Sequence, residues 1–232
     1  MKKLLDIVLI WIPAVFLVIS LSWVITYKWV PVKWTPLMLR RSLEYAHEKD
    51  FSNNQTWVDL EHINPFLVEA VLLSEDQRFF SHNGFDLTEL KKMKEEHDHY
   101  GKEIRGCSTI SQQVAKNCFT FGTGTLLRKA LEAYYTVLIE FIWGKERILE
   151  VYLNVAETGK GLYGMEAACQ VYFKCFADDV DIEDAVALVC TLPRPLTRTP
   201  ASVRTTHASK ISKQTKKLID LYTEAPIGRQ FY

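Results

Sequence analysis

The chain has 232 residues, with 28 Lys+Arg against 28 Asp+Glu, 48% hydrophobic residues and 12% aromatics. A formal net charge of zero lacks the basic excess that non-specific nucleic-acid binding needs, and the apolar content excludes an intrinsically disordered chain. At about 150 residues per domain, the length allows one or two domains. In chain order, residues 7–27 come first as 21 positions without a charged side chain, closed by Asp6 and Lys28. As a helix rising about 1.5 Å per residue, such a run spans roughly 30 Å, the thickness of a bilayer core. Pro13 is tolerated in a membrane helix, and Trp23, Trp29 and Trp34 suit an interfacial belt. The alternative is a cleaved signal peptide with Met1-Lys2-Lys3 as its n-region. The run is longer than the h-region of about 7–15 residues, and no small-residue cleavage site follows it. The reading is therefore an uncleaved transmembrane anchor over 1–30 and one mainly α domain over 31–232. Lys2 and Lys3 on one side oppose Lys28, Lys33, Arg40 and Arg41 on the other, so basic residues alone do not orient it.

Beyond the anchor there is no internal repeat and no alternation long enough for a strand. Asn64-Pro65 is a cap and first-turn pair opening the apolar run Phe66, Leu67, Ala70, Val71, Leu73 that carries into Glu75. The polar stretch from Leu87 to Arg105 reads as a solvated helix or a loop. Thr109 and Gln112 fit a capping box for a helix through Lys116. Cys118 to Leu127 is an apolar, glycine-containing loop. Helices are predicted over Leu126–Trp143, Lys145–Asn154, Gly164–Phe173 and Asp181–Leu192, the last stopped by Pro193 and Pro195. Residues 204–222 predict an amphipathic terminal helix.

Glu75 and Asp76 end an apolar helix, followed by Arg78, Phe79, Phe80 and His82. A carboxylate at such an end can have its pKa raised by desolvation, which suits a general base; an acidic pair at a helix end is also commonly a solvated terminus. Glu132 is spaced i, i+4 from Arg128, which a plain surface ion pair explains equally well. Between Lys102 and Lys129 five basic residues (Lys102, Arg105, Lys116, Arg128, Lys129) accompany one acid, Glu103. Gly106-Cys107-Ser108-Thr109 ahead of a helix favours anions, including phosphates. A base, a cation cluster and an anchor together point to transfer involving a lipid phosphate. Five cysteines form no C-x-x-C pair and read as buried small residues. His97-Asp98-His99 lies in the polar stretch, and no H-E-x-x-H motif occurs.

These residues resemble a known family. Glu75 to Asp86 (EDQRFFSHNGFD) looks like the first motif of the family 51 peptidoglycan glycosyltransferases, Gly106 to Asn117 (GCSTISQQVAKN) like the second, and Arg128 to Glu132 (RKALE) like the third. Lys145 to Asn154 (KERILEVYLN) resembles the fourth and Gly161 to Phe173 the fifth. The wording between motifs is most similar to the monofunctional biosynthetic transglycosylases. Cys107 replaces the usual Ala or Gly, Arg194 stands where Asn is common, and no S-x-x-K triplet of a transpeptidase occurs.

The resemblance implies a lysozyme-like fold and inverting polymerisation of lipid II with release of undecaprenyl diphosphate. It assigns Glu75 as the base and Glu132 as a second glutamate organising the diphosphate site. It places Lys116, Arg128 and Lys129 at the diphosphate, with Asp76, Phe79, His82, Ser108, Thr109, Gln113 and Asn117 among the substrate-binding residues. No cofactor is required by it, though it allows a divalent metal (Mg or Mn) at the diphosphate. The partners implied are lipid II, the growing glycan, the membrane and other cell-wall synthesis proteins. The implied location is the bacterial inner membrane, single-pass, with the catalytic domain on the periplasmic side. The rivals are a lysozyme-like hydrolase or lytic transglycosylase, which would have no diphosphate to hold, and an inactive scaffold, disfavoured by intact Glu75, Lys116, Arg128 and Glu132.

Overall fold

The computed structural model describes residues 7–101, 108–122, 124 and 126–224. A π-helical turn, Ile7–Trp11, leads into α1, Ile12–Trp29. Leu9–Trp29 is long and apolar enough to cross a membrane, and only 11% of it is buried against the protein. Its C-terminal half docks on the domain. Ser20 Oγ lies 2.7 Å from Tyr134 Oη, Trp143 Nε1 donates to Val24 O at 2.8 Å, and Lys28 Nζ donates to Ile142 O at 2.5 Å.

Helix α2, Pro36–Glu44, was not foreseen from the sequence. Thr35 Oγ1 accepts from Met38 N at 3.2 Å and Pro36 occupies the first turn, a start signal that lies just past the anchor. Helix α3, Pro65–Glu75, starts at the expected cap, with Asn64 Oδ1 accepting from Phe66 N. Every residue from Leu67 to Leu73 is buried, so α3 is a central helix rather than a one-sided one. Helix α4, Leu87–Tyr100, buries no residue and ends at Gly101 in the left-handed region. The solvated-helix alternative therefore holds through Tyr100.

Helix α5, Ile110–Phe119, carries the predicted capping box in full. Helix α6, Leu126–Ile142, and helix α7, Lys145–Val155, pack on it. Phe119 stacks on Tyr135 at 4.7 Å and meets Trp23 of α1 edge-on at 5.5 Å, so the anchor shares the core. A small sheet was also not foreseen: β1, Asn54–Gln55, pairs in parallel with β3, Leu162–Tyr163, which pairs antiparallel with β2, Glu157–Gly159. Helix α8, Met165–Tyr172, follows Gly164, whose φ of +81° and closeness to Asn154 O leave no room for a Cβ. Helix α9, Ile182–Val189, is shorter than predicted, and its cap is Asp181. The terminal amphipathic helix is two pieces, α10, Pro200–Thr206, and α11, Ala208–Glu224, broken at His207. Cys118, Cys169 and Cys190 are buried free thiols, as expected of small core residues; Cys175 is free but only half-buried, and Cys107 lies outside the described residues.

Candidate active site

Glu75 is the last residue of α3. Helix C-termini favour cations, so a carboxylate here is held against the dipole. Burial raises its pKa most, and Asp76 adds to the rise; the Gln113 hydrogen bond, Lys210 and Lys116 oppose it. Gln113 Nε2 donates to Glu75 Oε2 at 3.0 Å, while Gln113 Oε1 accepts from Tyr152 Oη at 3.4 Å. The tyrosine is buried and its pKa is well above the usual value, first through desolvation and then through Glu75 and Asp76, so it stays a donor. That fixes which end of the Gln113 amide faces Glu75.

Asp76 faces away from this arrangement. Both of its oxygens lie 3.0 Å from His82 Nε2, and Oδ2 also accepts from Ile110 N at 3.0 Å. His82 Nδ1 accepts from Gly84 N at 3.1 Å, which leaves the proton on Nε2. Thr109 Oγ1 donates to Gly84 O at 2.7 Å. Asp76, His82 and Thr109 are all buried, and Phe79 is fully enclosed beneath the Lys145 ammonium at 4.4 Å. Asp76, His82 and Thr109 fasten the end of α3 and the turn after it to the start of α5, and none of the four lines the cavity beside them. Ser108 is exposed at the entrance to α5.

Beside Glu75 opens a cavity of about 330 Å³. Of the sequence-predicted residues, Gln113, Lys116, Asn117 and Arg128 line it. Glu132 is nearly enclosed and pairs with Arg128 and, at 2.9 Å, with Lys129. The i, i+4 pair with Arg128 read from the sequence is therefore present, with its carboxylate enclosed rather than on an open helix surface. The Lys116 pKa is lowered, first by desolvation, then by Arg128 and Lys129 and more weakly by Arg40, with Glu157 acting the other way. Crowded like charges of this kind suit an anion.

Sequence reading missed part of this wall. Arg40, Arg41, Tyr152 and Glu157 also line the cavity, as do Pro193 and Pro195. Arg41 holds Glu157 through two hydrogen bonds of 2.7 and 2.8 Å, which raise the arginine pKa further. In the sequence Arg40 and Arg41 bear only on the orientation of the anchor, and the Thr35-Pro36 start signal is the clue to their helix. Glu157, the one acid among the described residues lining the cavity, is thus committed to Arg41, and Glu132 to two cations. Among the described residues no group of three or more His, Cys, Asp or Glu could hold a metal.

The site is thus a desolvated carboxylate at the end of a buried helix, beside a cation-lined cavity, on a helical domain whose N-terminal helix fits a membrane anchor. Residues 43–221 match the transglycosylase family. The chain is 48% identical over 182 residues to the biosynthetic peptidoglycan transglycosylase of Bdellovibrio bacteriovorus, covering 78% of this chain and 72% of that protein. It is 41% identical over 204 residues to the protein of that name from Bacteroides thetaiotaomicron, covering 88% and 82%. The corresponding values for the Pasteurella multocida protein are 43% over 185 residues, 79% and 75%. The chain belongs to the transglycosylase family, with its lysozyme-like fold, and is an enzyme of that class.

Proposed function

We propose that this transglycosylase polymerises lipid II into peptidoglycan glycan strands, releasing undecaprenyl diphosphate. The observation that carries the reading is the pairing of a desolvated, Gln113-oriented Glu75 with a cavity whose cations outnumber its acids. Glu75 takes the proton from the 4-hydroxyl of the acceptor sugar. The freed oxygen attacks the donor's anomeric carbon as the bond from that carbon to the diphosphate breaks, turning an α linkage into a β one. Lys116, Arg128 and Lys129 hold the departing diphosphate, and Glu132 keeps the last two in place. A glycan-cleaving enzyme would have a neutral leaving group and no use for this charge. Because lipid II is presented outside the cytoplasm, the reading puts the domain on the periplasmic face of the inner membrane, next to the anchor.

The test is Glu75→Gln, which keeps size and hydrogen-bonding reach but cannot accept a proton at neutral pH. General-base catalysis contributes about 10²–10⁴-fold, so lipid II turnover should fall by at least that lower figure. Affinity for a non-reacting donor analogue should persist, because the cations are untouched. Turnover within a few-fold of the parent would remove Glu75 from the role of base.

A further inference from the structure

Residues 36–41 precede the segment that matches the family, which begins at residue 43. Nevertheless Pro36, Leu37, Arg40 and Arg41 form one wall of the cavity. This wall is supplied by the short helix between anchor and domain, and it is firmly attached. Arg41 grips Glu157 of β2, and Gln55 Nε2 donates both to Val32 O at 2.9 Å and to Asn154 O at 2.8 Å. Arg40 is not committed in the way Arg41 is. Its Nε lies 3.2 Å from Glu44, a carboxylate that also serves Arg41, and its Nη1 reaches the Gly122 carbonyl at a long 3.4 Å. Its charge is felt at Lys116 across the cavity.

We propose that Arg40 is a diphosphate-binding residue, holding the charged head of a prenyl-linked donor at the membrane-side mouth of the cavity. The inference rests on the reading of the cavity as a diphosphate site. Its position follows from chain geometry. Trp29 ends the membrane helix and Pro36 begins α2. A fully extended chain advances at most about 3.6 Å per residue, so so short a link keeps α2 near the membrane interface. Tyr27 Oη donating to Trp34 O at 2.8 Å shortens the link further. A prenyl diphosphate has the same constraint, its tail in the bilayer and its phosphates at the surface. An arginine at this level meets the phosphates of a lipid-borne substrate and makes charge-assisted hydrogen bonds to them.

The experiment uses the full chain in nanodiscs, with geranylgeranyl diphosphate as the probe and geranylgeraniol as the control for the tail alone. Arg40→Ala should weaken diphosphate binding about 10-fold, the scale of one charge-assisted hydrogen bond. Geranylgeraniol binding should be unchanged. Arg40→Lys, which keeps the charge, should stay within about 3-fold of the parent, and Glu44→Gln, which removes the partner of Arg40 on α2, should bind as the parent does. For lipid II, KM should rise in Arg40→Ala while kcat holds. Parent-like diphosphate binding by Arg40→Ala would overturn the proposal. So would equal defects in Arg40→Ala, Arg40→Lys and Glu44→Gln with kcat falling as KM rises, because Arg40 would then only brace α2 against Gly122. Whether the parent makes glycan from lipid II is read separately, so failure of the function and failure of the arginine assignment remain distinct.

Discussion

Glu75 must be ionised to act as a base, yet its surroundings favour the proton. Burial is the largest influence raising its pKa, and the cation of Lys210, from α11, is one of the groups that pull it back. Helix α11 lies along α3, with Ala70, Leu73, Gln214 and Leu218 around one small gap, which brings the start of α11 to the end of α3. Replacing Lys210 with Met removes a charge that stabilises the carboxylate, so the pKa of Glu75 rises. The acid limb of kcat/KM should therefore move to higher pH, with the plateau little altered. Parallel pH–rate profiles measure this, and an unmoved limb would mean that Lys210 does not reach Glu75. Stability has the opposite interest. A folded-state pKa above the unfolded one means that, as pH rises from the unfolded value through the folded one, the unfolded chain gives up its proton first and stability falls. Glu75→Gln lacks that penalty. Its Tm at neutral pH should equal or exceed the parent's, with the difference vanishing at pH below the carboxylate range.

At the scale of elements, the site depends on how the end of α3 meets the start of α5. Asp76 makes that joint by accepting from Ile110 N and from His82. Removing the carboxylate leaves both donors bare, at about 1–3 kcal/mol each. Asp76→Ala should thus lose about 2–4 kcal/mol in a denaturant titration, and Asp76→Asn, which retains an acceptor oxygen, less. A parent-like midpoint for the alanine variant would mean the joint is held elsewhere. Helices with local punctuation were legible in the sequence: the Asn64 cap and the Thr109–Gln112 box both act within a few residues. Helix α2 escaped notice because its start signal abuts the anchor, and the sheet because its strands are two or three residues long. The break at His207 falls inside a pattern that stays amphipathic across it. In the site, residues within contiguous motifs were named from the sequence. Arg41 with Glu157, Tyr152 with Gln113 and Lys210 with Glu75 join distant segments, and only tertiary packing brings those together.

Across the whole molecule, the anchor is not a tether with a domain hanging from it. Phe16 packs on Tyr134 at 5.4 Å, Ser20 meets the same tyrosine, and Trp143 reaches Val24, so the stretch of α6 from Tyr134 to Ile142 runs beside the membrane helix in the same direction. With Leu9–Trp29 across a bilayer, a residue alongside Phe16 or Ser20 would share their depth in it. The outer side of α6 fits that position: Leu126, Leu127, Val137 and Phe141 are largely exposed and recur at helical spacing on one face. In water so long an apolar stripe would be a liability; against lipid it extends the surface of the anchor. It also brings the cavity close to the lipid surface that would carry the proposed prenyl-linked donor. Val137→Asp separates the two environments. On a helix surface in water the change is close to neutral, within about 0.5 kcal/mol, because Val and Asp have similar helix propensity and no core contact is lost. A carboxylate at membrane depth costs up to about 3.5 kcal/mol at the centre and less toward the interface, so on the order of 2 kcal/mol is expected at this level. Thermal unfolding of the full chain in nanodiscs should therefore show a clear loss for Val137→Asp and little for Val137→Leu. Equal melting of Val137→Asp and the parent would put this face of α6 in water and detach the cavity from the lipid surface.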